Sequence, residues 1–260
     1  MTALDTNHPN PARVFNTLMG GKDHYELDRV IAEPFLGSQL AVALAEARRF
    51  ARRAVEYLST THQVHQVVEL GCGLPMPPDI GEIAVHANPK ARTLYLDHDI
   101  VVTTHARALL TEQNGYVAEV DITDIDAVLD RIGAVMDSTA PLAICLSGTV
   151  ELLPDGAAVF DALTRKLPPG TWIVFSHITG EVGWSDIGRA TEALNRADIA
   201  FHPRDRDTIT TMLDPYRLAD PGLIAAHRWR PLDTEHDALR AQHPYVWDLP
   251  ALAAVGQLPD

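Results

Sequence analysis

The stretch Val67–Met76, "VVELGCGLPM", decides the fold. Two β-branched residues lead into Glu69 and Leu70, and Gly71 and Gly73 follow, one residue apart. β-Branched residues favour extended chain. Glycines just past a strand allow positive φ and let backbone come close to a ligand. The loop departs from the dinucleotide pattern G-x-G-x-x-G, because Met76 stands at the third glycine position among Pro75, Pro77 and Pro78. That third glycine lets a helix pack close beneath a pyrophosphate, so the expected ligand lacks a diphosphate.

Outward from this loop, strand-like and helix-like segments alternate. Strands are expected at Gln66–Leu70, Arg92–Asp97, Gly115–Val120, Pro141–Ser147, Trp172–Ile178, Leu223–Trp229 and Leu252–Leu258. Helices are expected at Pro78–Ala87, Ile100–Gln113, Ile125–Asp137, Gly156–Leu167, Trp184–Ala197 and Arg206–Leu213. Apolar strands alternating with helices predict an α/β fold: a doubly wound, mainly parallel, seven-stranded sheet covered on both faces. The link between the last two strands lacks a clear helix, which predicts an antiparallel final strand. Before the sheet, apolar residues recur three and four apart from Arg13 to about Leu58. The expected organisation is a helical unit over residues 1–60, an α/β domain over 61–260, and an insertion near 180–206.

The chain has 260 residues, 46% of them apolar, enough for a sizeable core. Its formal net charge of −14 opposes binding to nucleic acid phosphates. The two cysteines, Cys72 and Cys145, suggest neither a disulfide framework nor a zinc cluster. The dispersed histidines predict no metal. The first ten residues have no basic and apolar leader, and no apolar run approaches the roughly 20 residues of a membrane span. A soluble cytoplasmic protein is the expectation. Its oligomeric state is left open, with a homodimer among the options.

Two further strand ends carry carboxylates. Asp97, in "LYLDHD", lies about 20 residues beyond the glycine loop, where a carboxylate accepts from ribose hydroxyls. Asp121, in "EVDITD", is placed to accept from an exocyclic adenine amine, with Ile122 flanking the ring. Helix caps alone explain three such strand ends in succession poorly. The ligand implied has a ribose, an adenine and no diphosphate, which S-adenosylmethionine fits.

Three stretches carry a family resemblance: "NPARVFNTLMGGKDHYELDR" (Asn10–Arg29), "VVELGCGLPMPPDIGEIA" (Val67–Ala84) and "TLYLDHDIVVTTHARALL" (Thr93–Leu110). The chain resembles the class I S-adenosylmethionine-dependent methyltransferases, in a branch abundant in actinomycetes. Weaker matches continue through "PPGTWIVFSHIT" and "HRWRP". His24 stands where that branch commonly has Asn, and Met76 where it commonly has Thr. The resemblance implies that the N-terminal segment folds over the cofactor as a lid, with Gly20 and Gly21 breaking the helix against the methionine moiety. It points to Arg13 as partner of the cofactor carboxylate, and to Met19 and Tyr25 as walls of the transfer pocket. Glu69, Gly71, Gly73, Asp97, His98, Asp121, Ile122 and Ser147 complete the expected cofactor contacts.

Methyl transfer at a sulfonium mainly requires positioning and exclusion of water. A base helps when the acceptor carries a proton. His177, in "SHITGE", is the candidate base with Glu181 as its orienter or alternative, and Tyr25 is a further candidate on the lid. Trp184 and Phe201 are candidates for the acceptor wall. The expected reaction is methylation of a small secondary-metabolite acceptor at nitrogen, oxygen or carbon, including aromatic heterocycles. The rival readings are an NAD-dependent oxidoreductase, which wants the missing third glycine, and a non-catalytic cofactor-binding regulator.

Overall fold

The computed structural model describes residues 8–111, 114–182, 184–232 and 248–260, together with residues 234, 237, 239 and 241. Its parallel strands are β1 (Gln66–Leu70), β2 (Arg92–Asp97), β3 (Gly115–Glu119), β4 (Leu142–Ser147) and β5 (Trp172–Ile178). Strand β8 (Ala251–Gln257) runs antiparallel to β5, and both β6 (Arg217–Leu218) and β7 (Ile224–Ala225) pair antiparallel with β8. The sheet order is β3-β2-β1-β4-β5-β8-β6, with β7 also on β8.

The sheet therefore has eight strands where the sequence predicts seven. The edge next to β8 is broken between Leu218 and Ile224. There Pro221 has no N–H to give to a ladder, and Gly222 turns the chain through φ 81°. The strand expected at Leu223–Trp229 shrinks to β7, because the chain then winds into a 3₁₀ turn at Ala226–Arg228.

Alternating residues of the central strands point to opposite faces. Val67, Ala143, Val174 and Val255 join one buried cluster, under α3 (Gln39–Thr61), α4 (Ile80–Ala87), α5 (Ile100–Leu109) and α8 (Trp184–Arg196). Val68, Ile144, Ile173 and Ala254 join the other, under α6 (Ile125–Val135), α7 (Gly156–Lys166) and α9 (Arg206–Leu213). Two short helices precede these, α1 (Pro11–Leu18) and α2 (Glu26–Ala32).

Helix α3 packs on β5 and β8, and its Phe50, Ala51, Ala54 and Val55 are fully buried. No single described helix is long and apolar enough to cross a membrane.

Strand β1 lies between β2 and β4, so chain order reverses there. The loops leaving β1 and β4 diverge at such a point and open a crevice at the strands' carboxyl ends.

Candidate active site

Gly71 and Gly73 leave β1 at φ 67° and 63°, in the left-handed region that favours glycine. A Cβ on Gly71 would collide with the side chain of Thr149, whose hydroxyl donates to the Leu70 carbonyl (2.9 Å). The loop hangs on β2: Gly71 and Cys72 N–H donate to the Leu96 carbonyl (2.8 and 3.2 Å) and Gly73 N–H to Asp97 Oδ2 (3.0 Å). Past it, Asp79 Oδ1 caps α4 by accepting from Gly81 and Glu82 N–H (2.7 and 3.2 Å). Asp79 is buried and also takes the Tyr95 hydroxyl. A helix N-terminus that binds pyrophosphate offers free N–H groups; here a carboxylate occupies them.

A cavity of about 410 Å³ opens at the carboxyl ends of β1 to β4. Gly71 and Gly73 line it from β1, Asp97, His98 and Asp99 from β2, Asp121, Ile122 and Thr123 from β3, and Ser147, Gly148 and Thr149 from β4. Helix α3 adds Leu44, Ala47 and Arg48, and the loop after α8 adds Asp198, Ile199 and Ala200.

Asp97 is only 6% exposed. Its Oδ2 accepts from Gly73 N–H and its Oδ1 from Asp99 N–H (3.0 Å each). Burial raises its pKa from the usual carboxylate range. Each carboxylate oxygen has two lone-pair sites, so both oxygens retain one for ligand hydroxyls. Exposed His98 places Nδ1 3.7 Å from Asp97 Oδ1. Asp121 is exposed, and hydrogen bonds from Thr123 N–H and Oγ1 (2.9 and 2.8 Å) lower its pKa. Ile122 beside it is buried. Ser147 Oγ donates to the Ala47 carbonyl (3.2 Å), which ties β4 to α3.

The roof is α1, which contributes Asn10, Phe15, Asn16 and Met19 to the lining. Asn10 is a joint between roof and floor. Its Oδ1 caps α1 at Arg13 N–H (3.1 Å), and its Nδ2 donates to Asp99 Oδ2 at the start of α5. Phe15 stands edge-on to buried Phe201, with centroids 5.9 Å apart.

Several sequence expectations fall elsewhere. Arg13 does not line the cavity. Its Nε pairs with fully buried Asp28 (2.7 Å), and its guanidinium lies over the Tyr25 ring (4.9 Å). Asp28 also accepts from Asn10 and Tyr25 N–H (3.0 and 2.9 Å), so this cluster staples α1 to α2. Tyr25 is 38% exposed and outside the lining. Gly21 supports the lining from behind: a Cβ there would strike the Asn16 amide. Glu69 sits buried behind Arg48 rather than in the cavity wall.

His177 is not placed to act as a base. It is 1% exposed, with Nδ1 2.7 Å from the Ile178 carbonyl and Nε2 2.9 Å from an Arg204 amino group. Burial pushes its pKa down to about 3, and it lies outside the cavity. Glu181 is exposed and also outside the lining. Phe201 backs Phe15 instead of facing the cavity, and the side chain of Trp184 lies outside the described residues. Among the described residues no three metal-ligating side chains cluster.

The lining also holds residues the sequence did not single out: Asn10, Asn16, Arg48, Thr149 and Asp198. Asn10 and Asn16 carried a signal, since both stand in the Asn10–Arg29 stretch. Arg48 carried none.

A family model described as S-adenosyl methyltransferase matches residues 1–259. The chain belongs to that family. The methyltransferase fold recurs in a crystal structure of a family protein of unassigned role from Streptomyces avermitilis MA-4680. That protein is 26% identical, with a TM-score of 0.88 over 98% of this chain and 99% of the other. A candidate methyltransferase from Thermobifida fusca YX is 28% identical, with a TM-score of 0.87 over 100% and 98%. The plantazolicin methyltransferase BpumL, in complex with a monoazolic desmethyl substrate analogue and S-adenosylhomocysteine, shares the fold at 14% identity. Its TM-score is 0.54 over 96% of this chain and 95% of that one. No curated protein sequence matches the chain.

The methyltransferase's cofactor is S-adenosylmethionine. The residues present fit it. Asp97 offers two oxygens to a ribose, and the capped α4 terminus offers nothing to a diphosphate. Four carboxylates line the cavity (Asp97, Asp99, Asp121, Asp198) against one guanidinium, Arg48. That balance suits a sulfonium cation.

Proposed function

We propose that this methyltransferase methylates a small-molecule acceptor held between α1 and the Asp198–Ala200 loop. The observation that carries the reading is the cavity, which extends from the cofactor-type strand ends to that loop under a roof of α1. Its volume of about 410 Å³ lies within the range of about 300–1,000 Å³ that suits small ligands. The net charge of −14 and the acidic lining argue against a phosphate-rich acceptor. A plantazolicin methyltransferase of the same fold is in complex with an azole-bearing substrate analogue and S-adenosylhomocysteine, which supports a heterocyclic acceptor here. The Asn10–Arg29 motif supports a place in the actinomycete branch.

Bound S-adenosylmethionine supplies a methyl group already activated by its sulfonium. In the proposed mechanism Asp97 holds the ribose, Asp121 and Ile122 hold the adenine, and the glycine loop lets the cofactor lie against backbone. Met19, Phe15 and Asn16 close the site from above and exclude water, which fixes the acceptor's lone pair at attack distance. Among the lining residues of α1 and the α8–α9 loop, Asp198 is the one titratable side chain. It receives the acceptor's proton where one must leave; an acceptor with a free lone pair needs no base.

The test is mass spectrometry of candidate metabolites incubated with enzyme and methyl-labelled cofactor. A labelled small molecule supports the reading. Label found only on protein or nucleic acid overturns it.

A further inference from the structure

We propose that Arg48 is the residue that binds the α-carboxylate of the cofactor's amino-acid tail, with Glu69 as the positioning residue that aims its guanidinium. S-adenosylmethionine carries a carboxylate, and a carboxylate entering a low-dielectric cavity needs a cation or several N–H donors. Backbone nests often supply such donors, but three N–H groups of this glycine loop are already spent. Gly71 and Cys72 N–H are committed to the Leu96 carbonyl and Gly73 N–H to Asp97. Arg13, the arginine of α1, is held by Asp28 outside the lining.

Arg48 is the one Lys or Arg among the described lining residues. His98, the other basic side chain there, stands beside Asp97 at the ribose end. Arg48 reaches the cavity from α3, next to Ala47, whose carbonyl is bonded by Ser147 at the end of β4. One of its amino groups is fixed by Glu69 Oε1 (3.1 Å) and the Cys72 carbonyl (3.0 Å). The other amino group and Nε make no hydrogen bond among the described residues, and the side chain keeps 15% of its surface exposed. Arginine presents two such donors in a planar fork that matches a carboxylate. Glu69 is 2% exposed and Cys72 1%, so the partners of the fixed amino group are both buried, while Arg48 itself lines the cavity.

The neighbouring arginines of the run "ARRFARR" have other partners. Arg49 pairs with Glu46, Arg52 donates to the Met76 carbonyl (2.8 Å), and Arg53 donates to the Trp229 and Ala226 carbonyls (3.1 and 2.8 Å).

Two ligands separate this role from a structural one. S-adenosylhomocysteine and 5′-methylthioadenosine share the nucleoside and the sulfur, but only the first has the amino-acid tail. Calorimetry on the full chain, without any acceptor, should show that Arg48→Gln weakens S-adenosylhomocysteine by about 10- to 150-fold, the range for a hydrogen bond to a charged group. The same variant should change 5′-methylthioadenosine by less than about threefold. Glu69→Gln should shift the same ratio in the same direction, by less. A loss of affinity equal for both ligands, or no loss, overturns the proposal. Where Arg48→Gln fails to fold, Arg48→Lys carries the test. It keeps the charge but loses the fork, so a selective, smaller loss for S-adenosylhomocysteine supports the assignment and an equal or absent loss refutes it.

Discussion

Replacing Asp97 by Asn tests the ribose site at a single atom. In the wild type each carboxylate oxygen already accepts one backbone N–H, from Gly73 and from Asp99, at 3.0 Å. Asn keeps one acceptor and turns an NH₂ toward the other N–H donor. One backbone N–H in a site 6% exposed is then unpaired, which costs about 1–3 kcal/mol of stability. Relief of a carboxylate that burial disfavours offsets part of this cost. The ligand loses more, because a ribose hydroxyl that donated to a charged oxygen now meets a neutral one or a donor. A loss of about 1.5–3 kcal/mol is a fall in affinity of about 10- to 150-fold. The assay is calorimetric titration with S-adenosylhomocysteine, which cannot turn over, beside thermal unfolding without ligand. The same titration with 5′-methylthioadenosine should lose as much, since both ligands carry the ribose. A folded Asp97→Asn protein that binds S-adenosylhomocysteine at wild-type affinity would refute the reasoning and leave Asp97 a structural anchor of the glycine loop.

Three further predictions address the roof, the buried acid and the buried imidazole. Asn10→Ala removes both the cap of α1 and its tie to Asp99; it should destabilise by about 0.5–2 kcal/mol and speed S-adenosylhomocysteine release in stopped-flow. Asn10→Ser, which keeps a cap, should recover the stability but not the slow release, and equal behaviour of the two variants would remove the roof joint from the account. Glu151 is fully buried and bonds Ile178 N–H (3.1 Å), and burial raises its pKa from the ordinary 4.5 to about 7. Its unfolded form therefore sheds its proton first, so this group's contribution to stability falls as pH rises from about 4.5 to about 7, by roughly 3 kcal/mol in all. Glu151→Gln keeps the acceptor and removes the slope, so its stability relative to wild type in urea titrations should improve across that window; a constant difference would contradict the shift. His177→Gln should lower thermal stability by breaking the bridge to Arg204, yet leave S-adenosylhomocysteine affinity within about twofold, and a selective loss of binding would return His177 to the site.

The sheet was legible because its signals are local. Strands β1, β2 and β5 and helix α9 fall on the expected bounds, since β-branched runs ending in Gly or Asp, and apolar residues at helical spacing, each record a nearby demand. The split edge of β6 and β7 was less legible. "LIAAHRW" reads as a strand, but whether it stays in the ladder depends on where Pro221 and Gly222 fall against β8. His177 misled for a related reason. Its place at the end of a strand is legible, whereas its orientation is set by Arg204, 27 residues away, which donates to Nε2 (2.9 Å).

The two arginines show the same limit at the site itself. Arg13 stands in a motif and Arg48 in a run of similar arginines, so sequence favours the first. What decides between them is the second partner each meets. Asp28, on the helix that follows α1, encloses Arg13 with three hydrogen bonds to the α1–α2 segment. Glu69 lies beneath the glycine loop and encloses only half of Arg48. A buried carboxylate fully matched by its cation and by backbone N–H groups makes a staple. One that holds an arginine by a single amino group leaves the rest of the fork without a partner among the described residues, free to meet the one anionic group the cofactor brings.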